Sequence, residues 1–106
     1  MDGTTEEIIR QRLQDELLNF GKVVELFLKW REIYVQELSS LTNIKERTIK
    51  KIIAGTIHPP VRLSIIIAYT LKIPHDIYET SMHNSVSELE LATEIHEALS
   101  PAKGDK

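Results

Sequence analysis

From Val35 onward this chain has no room for a long element. Asn43, Gly55, Pro59-Pro60 and Pro74 each interrupt it. Asparagine tolerates the left-handed backbone that ends a helix, glycine adopts it freely, and proline cannot continue a helix. Between the stops, aliphatic residues recur three and four apart, which is helical spacing. The expected pieces are a helix over Val35 to Thr42 with Leu38 and Leu41 inward, and a second from about Lys45 to Ala54 with Ile49, Ile52 and Ile53 buried. A third runs from Val61 to Leu71, and His75 to Glu79 forms a further short turn of helix.

The flanks read differently. Thr4-Thr5-Glu6-Glu7 has the form of a capping box. The helix it opens carries Leu13, Leu17, Phe20, Val24 and Phe27, a two-heptad seam suited to packing on another helix. Gly21 interrupts that seam and costs about 1 kcal/mol relative to alanine in a helix interior. Either one helix runs to about Arg31, or it breaks near Asn19 to Gly21. At the other end, Thr80 to Asn84 is a polar stretch. Ser85-Val86-Ser87-Glu88 offers a second capping box, opening an acidic helix with Val86, Leu89, Ala92, Ile95 and Leu99 on one side. Residues 101–106 form a fraying tail. The organisation expected is therefore a helical extension over 1–23, a central domain over 24–79, and an amphipathic helix with its tail over 80–106.

A chain of 106 residues, 42% hydrophobic and 27% charged, matches one soluble globular domain. There is no cysteine, hence no disulfide framework, thiolate nucleophile or zinc-finger site. No apolar run approaches the roughly 20 residues of a membrane span, and the acidic start is unlike a signal peptide. The expected location is cytoplasmic. The net charge of −3 argues against a polyanionic partner until its distribution is considered. Residues 1–28 carry −3, residues 29–72 carry +5 and residues 73–106 carry −5. A basic centre between acidic flanks can attract a polyanion at one face.

Two short helices joined by a tight turn, the second basic on its outer face, follow helix-turn-helix logic. Leu38, Ser39, Asn43, Ile44, Ile49, Ile52, Gly55, Pro59, Ala68 and Leu71 fall in an order and spacing that resembles the phage Cro/C1-repressor (XRE) helix-turn-helix family. The resemblance covers about residues 24 to 79. It implies an all-α fold, a five-helix Cro/C1 repressor-like domain, to which the unmatched ends add an extra N-terminal helical segment and a C-terminal acidic helix. It also implies sequence-specific binding of a double-stranded DNA operator by a homodimeric transcriptional regulator, a repressor. By the same resemblance, the positions of Glu46, Arg47, Lys50 and Lys51 read bases. Their chemistry suits that role, since an arginine fork fits guanine O6 and N7, and a glutamate accepts from cytosine N4. Gln36, Lys45 and Thr56 are placed to touch phosphate.

Departures from the family pattern are specific. Val35 stands where a phosphate-holding glutamine is usual, and Tyr34 where a serine or threonine cap is expected. Lys45 replaces a serine cap, opposing the helix dipole but well placed to meet a phosphate. Ser64 replaces a common core leucine, work that Ile65 is expected to share.

Other chemistry finds little support in the sequence. His58, His75, His83 and His96 show no ligand spacing, so no metal site and no cofactor are expected. Ser81, His83 and Asp76 lack the strand-turn-helix elbow of a triad, and there is no phosphate-cradling glycine loop. An enzyme is not expected. Two rivals to the regulator stay open. One is the antitoxin of a toxin–antitoxin pair, whose terminal helix would neutralise a protein partner. The other is a helical interaction module that has lost DNA binding. A single reading domain touches only about half a turn of major groove, which favours a dimer. Leu13 and Leu17 in the N-terminal seam, or Val86, Leu89, Ile95 and Leu99 in the C-terminal stripe, are the expected dimer contacts.

Overall fold

The computed structural model describes residues 3–85 and is helical throughout, with no strand among the described residues. In chain order the helices are α1 (Gly3–Asp15), α2 (Phe20–Arg31), α3 (Val35–Thr42), α4 (Glu46–Ala54) and α5 (Val61–Leu71). Residues 75–85 form a sixth, α6. None is long and apolar enough to cross a membrane.

The N-terminal seam is not continuous. The chain leaves α1 at Asp15 and passes through Leu17 in the left-handed region (φ 52°) before α2 starts at Phe20. Asn19 caps α2, its side-chain oxygen accepting from the Lys22 N–H at 3.0 Å. The expected boundary between 23 and 24 thus falls inside α2. Leu13, expected between two copies of the chain, is instead buried in its own fold, sharing one core with Ile9, Leu18, Phe20, Val24 and Phe27. The corner at Leu17 breaks the heptad register and leaves Leu17 itself 68% exposed. Thr4 lies within the first turn of α1, not ahead of it.

Each of α2 to α5 ends on a left-handed residue: Glu32, Asn43, Gly55 and Lys72. Such a residue folds its N–H back onto the last turn and satisfies carbonyls that would otherwise lack donors. Arg31 finishes the end of α5. Its guanidinium donates to the carbonyls of Leu71 and Lys72 while stacking over Trp30, 4.9 Å from the ring centroid.

α2 packs against α4 and α5, and α3 packs against the same two helices. At the α2–α4 crossing sits Gly21. A Cβ there would run into the carbonyl oxygen of Ile52 and lie 2.9 Å from that of Ile53. The glycine that weakens α2 as a helix is what allows its backbone to lie directly on α4.

Two inward expectations and one expected break are corrected by the structure. Leu41 is 62% exposed, because Leu38, one turn earlier, takes the inward position of α3. Ile65 is on the outer face of α5 and does not stand in for a core leucine. Ser64 is fully buried instead, its hydroxyl donating to the Val61 carbonyl at 2.7 Å and accepting from the Tyr78 hydroxyl at 2.8 Å. The polar stretch Thr80 to Asn84, expected to separate two elements, is helix, and Ser85 belongs to the same α6. The Ser81 hydroxyl donates to the Tyr78 carbonyl and that of Ser85 to the Ser81 carbonyl, which satisfies both within the helix. Val86, Leu89, Ile95 and Leu99, with the acidic helix they belong to, lie outside the described residues.

Candidate nucleic-acid interface

The turn between α3 and α4 is three residues, Asn43, Ile44 and Lys45. Asn43 takes φ 61° and ψ 25°, reversing the chain at once. Ile44 is driven into the core beside Leu38 and Ile49. Three hydrogen bonds brace the turn locally. Ser39 donates to the Ile44 carbonyl at 2.6 Å, Thr42 donates to the Leu38 carbonyl, and the Ile44 N–H donates to the Thr42 hydroxyl. The crossing is therefore held by one buried plug and a closed set of short hydrogen bonds. The partial cap ahead of α3 is the Glu37 carboxylate, which accepts from the Tyr34 N–H at 3.5 Å.

Burial of Ile49 and Ile52 fixes the rotation of α4. At 100° per residue, Glu46, Arg47, Lys50 and Lys51 must then face away from the core. They do so together: these four, with Ala54 and Thr56, line one shallow depression of about 500 Å³. Lys50 approaches Glu46 at 3.4 Å across one helical turn. An exposed pair of this kind contributes only about 0.3–0.5 kcal/mol, too little to keep Lys50 from a phosphate or a base edge. Gly55, at φ 76°, ends the helix, and the Thr56 hydroxyl turns back onto the Lys51 carbonyl at 3.3 Å. That places Thr56 at the rim of the depression.

Gln36 and Lys45 are exposed but lie outside it. Gln36 sits in the first turn of α3, and Lys45 is the residue before α4, its side chain making no cap. Val35, where a polar residue would be useful, packs on the core. Ala54 belongs to the depression although its sequence position gives no chemical reason to select it. Its contribution is smallness, leaving the end of the α4 face open.

A second, larger hollow of about 710 Å³ lies on the other flank of α4, between Leu28, Ile33, Val35 and Ile53, with Lys50 on its wall. Lys50 therefore borders both concave surfaces. Among the described residues no group of histidines and carboxylates is arranged to hold a metal ion. Compared with protein-family models, curated proteins and solved structures, the chain finds no match in any of the three.

Proposed function

We propose that this chain is a sequence-specific double-stranded DNA-binding protein, a transcriptional repressor that acts as a homodimer through a Cro-like helix-turn-helix. The observation that carries the proposal is the outward face of α4. One acidic and three basic side chains able to address base edges share a single depression there, on a helix held out by a closed turn. An α-helix enters the major groove, and such a mixture of donors and an acceptor is what direct readout needs. In this reading Arg47 contacts a guanine, Lys50 and Lys51 read neighbouring positions, and Glu46 accepts from cytosine. Gln36, Lys45 and Thr56 hold the flanking phosphates.

The experiment is a selection of bound sequences from random duplex DNA, repeated with Arg47→Ala. The substitution should cost about 1–3 kcal/mol on the selected site and relax the preference at one base pair. Equal weakening on every sequence would reduce Arg47 to a phosphate contact and remove the readout claim.

Val35 favours a second reading, a helical interaction module without DNA binding. Its side chain is committed to the core and is unavailable to a phosphate. Binding of a protein partner with no enrichment of any duplex in the same selection would establish that reading over the first.

A further inference from the structure

Helix α5 has two apolar faces, and among the described residues only one of them is buried. Ser64, Ile67, Ala68 and Leu71 form its buried side. Val61, Ile65 and Tyr69, each four residues after the last, are exposed by 59%, 52% and 85%. Residues four apart drift by only about 40° around a helix, so the three make one continuous stripe. A solvated helix face normally carries charged groups, whereas the only charged residue of α5 is Arg62. The stripe amounts to roughly 300 Å² of apolar side chain, the scale of the largest patch on an ordinary monomer, which is often functional.

We propose that the occupant of this stripe is α5 of a second copy of the chain, packed antiparallel about a two-fold axis through Ile65. The spacing of the stripe is the first reason. A two-fold contact needs a surface complementary to itself, and two equal steps on either side of Ile65 set each Val61 against the partner's Tyr69, a small residue against a large one. Charge is the second reason. Antiparallel packing lays Arg62 beside the partner's Tyr69 ring, a favourable cation–π position. It also keeps the two guanidiniums about 9 Å apart along the axis, whereas parallel packing would put them side by side.

Area sets the strength. The patch is smaller than the about 800 Å² per partner of a stable complex, so association in free solution should be weak and concentration-dependent. The proposal deepens the dimeric part of the repressor reading but is tested without DNA, so either can fail alone.

Because the chain has no cysteine, single cysteines report the geometry directly. Antiparallel helices in contact bring the two Cα atoms on the axis within about 4.4–6.8 Å, where a disulfide forms, and hold paired 61 or paired 69 positions too far apart. Mild oxidation should therefore link Ile65→Cys into a dimer and leave Val61→Cys and Tyr69→Cys monomeric when each is alone. A mixture of those last two should link. In sedimentation, the average mass of the native chain should rise from 12.2 kDa toward twice that value with concentration. Tyr69→Glu should abolish the rise with its circular dichroism unchanged, and Leu17→Glu should not affect it. No linkage at Ile65, equal linkage at all three positions, or loss of association through Leu17→Glu alone would each overturn the proposal. So would a full-length chain that stays monomeric, because another occupant would then cover α5.

Discussion

At position 21 a single methyl group decides how α2 can lie on α4. Helix propensity alone makes Gly21→Ala favourable by about 1 kcal/mol. The crossing reverses the sign, because the new Cβ must displace the backbone of Ile52 and Ile53, and backbone cannot rotate away as a side chain can. Gly21→Ala should lower stability by about 1–3 kcal/mol, the usual scale of overpacking, read from the urea midpoint at unchanged slope. A rise in the midpoint would mean that the helices separate at little cost. Sequence reasoning registers this glycine only as a weak point in a helix, since close approach is a property of two segments 31 residues apart. Ser64 is similar. Its replacement of a leucine suggests a neighbouring isoleucine, but the partner that makes a buried serine tolerable is Tyr78, one helix further on.

The helices themselves divide by where their ends are decided. α3 and α5 have the bounds the stop signals imply, Val35–Thr42 and Val61–Leu71, because Asn43 and Pro60 act on their own neighbours. α6 defeats the same logic. The polar stretch Thr80 to Asn84 looks like a break, yet Ser81 and Ser85 bond back one turn within the helix, so it is continuous through residue 85. Between elements, Arg10 of α1 donates to Asp76 of α6 at 2.7 and 3.2 Å. That hydrogen bond, more than the charge of Arg10, holds the Asp76 carboxyl below its ordinary value despite some desolvation. Within the α1 segment, Arg12 does the same to Glu16. A carboxyl with a folded value below its unfolded one favours the fold above about pH 4, and this contribution vanishes as pH falls through the folded value. Acid titration should therefore show native stability falling below about pH 4, and Asp76→Asn should make that fall shallower while lowering stability at neutral pH. Parallel acid curves for the two proteins would mean that the α1–α6 tie contributes nothing.

Across the whole molecule, charge of both signs is sorted along the chain, and the face of α4 collects part of the positive share. If that face meets DNA, affinity should fall steeply with salt although the net charge is −3. Three neutralised phosphates would give a slope of about −2.7 in log affinity against log salt, a loss of some tens of fold between 50 and 200 mM. Fluorescence anisotropy on a selected duplex would measure it, and a flat titration would exclude phosphate contact as a main source of affinity. The α4 depression was legible beforehand because one helix carries most of it, so the rotation set by Ile49 and Ile52 is enough to predict which side chains share a face. The α5 stripe was not, since Ile65 looked like core until its neighbours had taken the inward positions.

The described fold is also fastened at its extremes. The Phe20 N–H at the start of α2 donates to the Ser85 hydroxyl, and the Asn84 amide donates to the Leu18 carbonyl, spans of 65 and 66 residues. Contacts of such separation are slow to form, because loop closure must precede any return from them. The first turn of the helix on which α4 rests therefore lacks part of its capping until residue 85 has been made and docked. A nascent chain halted short of residue 85 would carry the basic face of α4 on a supporting helix whose first turn is incompletely capped.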